Sequence, residues 1–502
     1  MRFYEALHPT KPIALAELLG GERWSPDYFR PQYVANELTL EARDDMSTLD
    51  GFSKRLTCGP FGSSVPANLF VDSGVPFLRM SNVRAFYLDS SGLVCLPEDE
   101  ADRLQAANFA PGDLVISKTG RTGLAAVLPP GPRRYVISQD VIGVTLRSGV
   151  SPYFVVAFLN SDYGALQFRR IEKGNVQAHL DLATTRAVRV PLPDRRIQNY
   201  ISAKVELAEL CRTASSRSWA AATDLLGTAL GVPLTPDTFE VKSADNVSGS
   251  DYQVTSLCPV VAVVSPERLV GAIGAQFFTP RRAKAILVIE QSGLAAKRLS
   301  ALADRFTKRV SADEVQARSL SYVGLAQVDS FTGFVSPATD EQPSSSSACF
   351  GSRDILFSKL RPYLNKVAIC PEHLEEVAGS TELVTYRAKP GVDPYYVFFV
   401  LKSPLVLNQV IDITSGSTHP RVDPDLIDDV LVPMAEASVQ KRIGQLAHTA
   451  LELMRRATLL VEEAKADVEA LIEGTLDVQA ILAGTLKAPT TDDVPELAED
   501  GA

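Results

Sequence analysis

The 502-residue sequence is poor in the residues that build metal and redox centres. Six cysteines (Cys58, Cys95, Cys211, Cys258, Cys349, Cys370) stand far apart with no CxxC pair, and the five histidines are equally dispersed. That scatter excludes a disulfide framework and a zinc site, and it fits reduced thiols in a cytoplasmic protein. No apolar run approaches the about 18 residues that a membrane span needs. The opening MRFYEALHPTKPIALAELL has no cleavable signal pattern, so a cytoplasmic location is expected. Catalytic signatures are missing as well: there is no HExxH, no GxSxG, no NPPY-like tetrad and no glycine-rich cofactor loop. GDLVISKT at Gly112–Thr119 comes within one residue of a phosphate-binding loop, but Ser117 stands where glycine must let the backbone approach phosphate. PDTFEVK at Pro236–Lys242 groups its acids too closely for a nuclease cluster and reads as a linker. No cofactor is expected on this chain.

A basic excess is lacking too, since the formal net charge is −10. Five acids in the last fifteen residues (Asp492, Asp493, Glu496, Glu499, Asp500) supply half of it, with no Lys or Arg beside them. This acidic tail, residues 485–502, is expected to be disordered by its composition. Phe168–Arg189 goes the other way: Arg169, Arg170, Lys173, Arg186 and Arg189 against Glu172 and Asp181 make it +3.

What is present is a repeat. PGDLVISKTG, SPYFVVAFLNSDYGALQF and KGNVQAHLDLATTRAVRVPLPDRRIQNYI in the first half answer to SRDILFSKLR, DPYYVFFVLKSPLVLNQV and SGSTHPRVDPDLIDDVLVPMAEASVQKRI in the second. Asp113 and Lys118 match Asp354 and Lys359, 241 positions on; Gly174, Pro191, Gln198 and Ile201 match Gly416, Pro433, Gln440 and Ile443, 242 on. One net insertion separates these blocks. A fainter echo links YFRP at Tyr28–Pro31 to FFTP at Phe277–Pro280. Each copy reads in the same order. A short strand (FLRM or YVGL) is followed by an apolar strand (LVISK or ILFSK), a helix after Pro152 or Pro394, a Gly-polar loop, a strand ending in proline and a long helix.

In the second long helix, Ile443, Leu446, Ala450, Leu453, Ala457, Leu460, Ala464, Val468 and Leu471 recur at three- and four-residue steps, a seam for helix pairing. Packing on its own domain is the plain alternative for each helix. Paired antiparallel, some 36 helical residues would form a strut of roughly 54 Å. A turn of B-DNA spans about 34–36 Å.

These residues resemble the specificity (S) subunits of Type I restriction–modification systems. The resemblance lies in the GDLVISKTG turn and strand, the PYF…FLNS helix, the GN-Q-HL loop, the VPLP strand end and the Q-x-x-I helix start, over about residues 59–212. The second copy keeps the order but has Arg353 for the glycine before Asp354 and GSTHPRV for GNVQAHL. The resemblance implies two target-recognition domains, each reading half of a bipartite interrupted sequence in double-stranded DNA. It also implies helices that dock adenine-N6 DNA methyltransferase subunits and a restriction/translocase subunit. S-adenosylmethionine and ATP would then sit on those partners. Diverged halves imply a non-palindromic target.

DNA contact requires cations for phosphates and forked donors or acceptors for base edges. Lys118 and Arg121 follow the first apolar strand; Lys359 and Arg361 follow its copy. The loop Gly174–His179, flanked by Arg169, Arg170 and Lys173, offers Asn175, Gln177 and His179, and amides of this kind pair bidentately with adenine. Its counterpart offers Ser417, Thr418, His419 and Arg421. Arg79, Asn82 and Arg84 face either DNA or solvent; Arg281, Arg282 and Lys284 are weaker candidates. For the loops, solvated turns and caps are the plain alternative.

The expected architecture is α/β (mixed α+β): two tandem recognition domains with pseudo-two-fold symmetry, joined by two long antiparallel helices. Its parts are a first recognition domain at residues 1–194, a first long helix at 195–232, a linker with the second domain at 233–437, a second long helix at 438–484 and the tail. The function expected is sequence recognition without catalysis. The alternatives are a recognition subunit of another phage-defence or DNA-modification complex, a stand-alone nucleic-acid enzyme, and a repeat scaffold that binds only protein.

Overall fold

The LVIS and ILFS runs, three apolar residues and a serine each, are strands buried at every residue. They sit in the computed structural model at Leu114–Ser117 and Ile355–Ser358, each inside a four-stranded antiparallel sheet. The structure describes residues 26–174, 178–240, 246–248, 252–255, 261–264, 274–338, 343 and 345–499. The chain divides into two units, Met1–Arg212 with Arg456–Leu497, and Thr213–Arg455 with Ala498–Ala502.

In the first unit the sheet order is Ser53–Cys58, Val141–Leu146, Leu114–Ser117, Ala125–Val127. In the second it is Ala303–Phe306, Leu383–Ala388, Ile355–Ser358, Val367–Ile369, the same topology. A further sheet in each unit shares a three-strand centre with one parallel pair. Val75–Leu78 runs parallel to Tyr135–Ile137, and Tyr322–Val323 parallel to Val377–Gly379. The fourth strand differs. Val94–Leu96 flanks Val75–Leu78 in the first unit, whereas Arg309–Val310 adds to the opposite edge, against Ser347–Phe350, in the second.

The fainter echo is structural as well. Turns Pro26–Phe29 and Ala275–Phe278 each lead into a helix opened by proline, Pro31–Glu41 and Pro280–Gln291. Proline suits that position because the first helical N–H needs no intrahelical partner. Pro152–Asn160 and Pro394–Lys402 begin in the same way, capped by the side chains of Ser151 and Asp393. The linker region carries elements of its own. Phe239 ends the short helix Pro236–Phe239 fully buried, and the strands Asn246–Ser248, Tyr252–Thr255 and Val261–Val264 pair antiparallel after it.

The long helices are Arg195–Leu230 and Ala437–Glu473. The seam of the second is buried at Ile443, Ala447, Ala450, Leu453, Ala457, Ala464 and Val468, each at most 2% exposed. Both expected packings occur. In the first unit, Lys204 on the early part of one helix bridges Asp467 at 2.7 Å on the late part of the other. In the second unit, Ser215 Oγ donates to the Ala450 carbonyl at 2.7 Å. The helices are therefore antiparallel neighbours within each unit. Ala222 and Leu226 also join the core of Tyr396, Phe398 and Val400, with the Trp219 ring 4.8 Å from that of Phe399.

Two expectations are corrected. The second long helix does not continue to 484: it stops at Glu473, Gly474 turns the chain at φ +74°, and Val478–Ala483 is a separate helix capped by Asp477. The acidic tail is ordered through Glu499, whereas residues 500–502 lie outside the described ones. Val494 is 3% exposed, and Glu496 lies 3.8 Å from Arg456. The long helix supplies a cation to residues 488–502, which have none of their own.

Candidate nucleic-acid interface

In the first unit, five main-chain hydrogen bonds build one edge beyond the strand Leu114–Ser117. Lys118 N–H donates to Asp140 O (2.9 Å), Leu180 N–H to Lys118 O (2.8 Å), and Gly120 N–H to Ala178 O (3.0 Å). Lys173 and His179 exchange backbone bonds of 2.9 Å, closing a hairpin whose first tip residue, Gly174, has φ +97°. The second unit repeats the set. Lys359 N–H donates to Glu382 O (3.0 Å), Val422 N–H to Lys359 O (3.0 Å), and Arg361 N–H to Pro420 O (2.7 Å). Thr414–Ser415 pairs with Arg421–Val422 around Gly416 at φ +89°. The folding unit thus holds a strand-end turn beside a hairpin tip in both copies.

The net insertion lies inside this turn. Ser117 N–H bonds Leu124 O in one copy and Ser358 N–H bonds Lys366 O in the other, which brackets Gly120–Gly123 against Arg361–Asn365. Gly120 and Gly123 have φ +70° and +80°; their counterparts Arg361 and Asn365 hold φ +48° and +49° without being glycine. An arginine in that left-handed region costs about 1–2 kcal/mol, and asparagine less.

The first-unit candidates divide. Arg121 and Arg169 are exposed, with no side-chain partner among the described residues. Lys118 is half-buried, its Nζ 3.2 Å from Gln139 O. His179 is exposed at the hairpin base, and Lys173 beside it pairs with Asp181 at 2.6 Å. Arg170 is no contact residue: it bonds the Tyr28 carbonyl at 3.1 Å and Glu37 at 2.7 Å, and its guanidinium lies over the Tyr28 ring. It clips the helix Pro31–Glu41 to the helix Asp162–Ile171. Asn82 is also corrected. It is fully buried, accepting from Arg79 N–H and donating to Asp89 O, both at 3.0 Å. Arg79 donates to Gly92 O at 2.6 Å and Arg84 pairs with Asp89 at 2.9 Å, so this group braces its own loop. Asn175 and Gln177 lie outside the described residues.

In the second unit Ser417, Thr418 and His419 are exposed at the hairpin tip, and their side chains bond nothing among the described residues. Lys359 is half-buried with no ion pair among them. Arg361 is half-buried, its Nε enclosed without a partner among them. Arg421 is exposed but committed to a partner: its Nη2 and Nε hold the two oxygens of Glu382 at 2.8 and 3.1 Å, and this holds the Glu382 carboxyl below the usual carboxylate range. Arg282 is half-buried with its Nε and Nη1 enclosed, Arg281 lies 3.9 Å from Asp412, and Lys284 donates to Glu240 O.

Exposed apolar side chains near these edges had no place among the sequence candidates. Phe61 is 78% exposed, Phe331 60%, Tyr363 49% and Leu364 40%. Their signal is weak: single aromatics within Gly/Pro-rich turns, where no period marks them. Among the described residues no group of three or more His, Cys, Asp or Glu could hold a metal ion, and no helix is long and apolar enough to cross a membrane.

No family model matches the sequence, and no curated protein does. Among solved structures, a Type I restriction–modification system S subunit from M. genitalium aligns over 86% of this chain and 95% of its own, with 10% identity and a TM-score of 0.42. The HsdS subunit from Thermoanaerobacter tengcongensis aligns over 86% and 97%, with 14% identity and a TM-score of 0.28. The chain itself is mixed α/β, with four-stranded sheets in each of two units and segments of both long helices packed against each other within each unit.

Proposed function

We propose that the chain is a non-catalytic DNA sequence-recognition subunit of a Type I restriction–modification complex. Each unit reads one half of an interrupted target, and the long helices receive the methyltransferase subunits that modify an adenine and the restriction subunit that cleaves. One observation carries this reading: the same turn-beside-hairpin edge is built twice by equivalent bonds, and its framework residues are kept while its exposed side chains change. A fold that keeps its bonds and varies its tips suits a reader of two different half-sites. Lys118, Arg121 and Arg169 in one unit, and Lys359 and Arg361 in the other, would hold phosphates and set position. Hairpin side chains would meet base edges. In the first unit those are Asn175, Gln177 and His179, and in the second Ser417, Thr418 and His419.

The test is a genome-wide map of N6-methyladenine in cells with and without this gene, the partner genes being expressed. Loss of one interrupted, non-palindromic motif is the expected result. An unchanged map overturns the reading.

A further inference from the structure

An exposed phenylalanine is ordinarily left loose, but Phe331 is held. It stands at the tip of a small hairpin in which Val328 bridges Val335. Asp329 Oδ1 accepts from the N–H groups of Phe331 (3.0 Å) and Thr332 (2.6 Å) and from the Thr332 hydroxyl (2.8 Å), fixing the tip. Gly333, at φ +72°, closes it so tightly that a Cβ there would stand 2.5 Å from Val367 O.

Tyr363 and Leu364 are displayed just as firmly. They occupy the short turn Pro362–Leu364, between the left-handed residues Arg361 and Asn365. One buried ammonium joins the two displays. Lys402, 3% exposed, donates from Nζ to Ser330 O (2.8 Å), Asp329 O (3.2 Å) and Asn365 O (2.7 Å). Carbonyls that share one ammonium lie within a few ångströms of one another, so the backbone behind Phe331 and the end of the Tyr363 turn adjoin. The first unit has Asn160 at the position of Lys402, and it bonds Ala125 and Val156 instead.

The surroundings select the occupant. Arg361 opens the turn and hangs from the hairpin that carries Ser417, Thr418 and His419. Lys359 lies two residues before it, and the nearby Glu382 is neutralised by Arg421. Aromatic faces with cations and an uncharged polar tip match the face of a nucleobase beside its phosphates, because every base presents a π surface. An apolar protein helix would have no use for the cations.

We propose that Phe331 and Tyr363 form an aromatic platform on which the second unit stacks a DNA base, either one displaced from its stack or one at an opened step. This goes beyond edge reading by the hairpin, and it rests on the DNA-binding reading above.

The test uses the full chain and random-sequence duplexes a few helical turns long, carrying 5-iododeoxyuridine in place of thymidine. Ultraviolet adducts are expected on Phe331 or Tyr363. Phe331→Ala with Tyr363→Ala should weaken binding about ten- to a hundredfold while leaving the slope of affinity against salt unchanged. Phe331→Trp should bind as the parent does, and Phe331→Leu should not. Equal binding by the double variant, or adducts only elsewhere, overturns the platform and leaves DNA recognition standing. A double variant that binds duplex normally but no longer holds a partner protein makes the patch a protein interface and also overturns it. If the unaltered chain binds no duplex, both readings fall together.

Discussion

The two copies of the strand-end turn take opposite routes to the same place. In the first unit the turn is Gly120–Arg121–Thr122–Gly123: glycines take the left-handed conformations, and a lone cation points outward. In the second, one residue longer, arginine and asparagine are forced into those conformations and an aromatic is shown instead. A similar inversion lies at the start of one central strand. Arg134 grips Glu98 and Asp102 just before Tyr135–Ile137, whereas Glu376 grips Lys308 and Arg318 just before Val377–Gly379. Duplication thus preserved the backbone bonds and left the sign and chemistry of the side chains to drift. On the DNA-binding reading proposed above, such drift would let one scaffold offer a cation at this turn in one half and an aromatic at it in the other.

The comparison can be broken most forcefully by charge. Lys118→Glu with Arg121→Glu should weaken duplex binding tenfold or more and flatten the salt dependence by about one for each phosphate no longer neutralised. The aromatic double variant should leave that slope alone. Titrations at several salt concentrations check both, and equal slopes would erase the distinction between the units.

A second contrast concerns stability. Asp354 is 1% exposed and holds Arg387 with both oxygens, at 2.8 and 2.7 Å, while also capping Gly351 N–H. Its repeat partner Asp113 is half-exposed and accepts from Ala110 N–H. Asp354→Ala should cost about 2–3 kcal/mol and Asp113→Ala about 0.5–1 kcal/mol, read by chemical denaturation.

At the hairpin tip, His419→Ala should relax preference at one half-site by about 1–2 kcal/mol without altering the other. Sequences selected from a random duplex pool check this. If both half-sites shift, the tips do not read independently.

The smallest effect is acid stability. Arg318, then Lys308, hold the Glu376 carboxyl at about 2. A carboxylate held below its usual range stabilises the fold above the unfolded value, and that contribution fades as pH falls from the ordinary carboxylate range toward about 2. Glu376→Gln should therefore lower Tm near neutrality and converge with the parent at low pH. The pair is partly exposed, so the difference should be modest.

The duplication and the order of elements were legible because their determinants are local: LVIS and ILFS each open on three consecutive apolar residues, and Pro152 and Pro394 announce helices. The site was only half legible. A polar side chain shows its type in sequence but not its partner. Asn82 turns inward to Asp89 and Arg170 to Glu37 across 133 positions, Arg421 is taken by Glu382 at the surface, and all three looked available. The tail misled for the same reason, since Arg456 lies far from Glu496 in sequence. Phe331 and Tyr363 were invisible because their exposure is set by Asp329, Gly333 and Lys402, which no local pattern connects to them.

The inserted residue in the second turn has a consequence for how such a surface changes over generations. Its anchors, Arg361 N–H on Pro420 O and Ser358 N–H on Lys366 O, match those of the shorter copy, so the extra length is absorbed between fixed moorings. A segment that lengthens without shifting a neighbouring strand can try new letters of an address while the rest of the molecule keeps its shape.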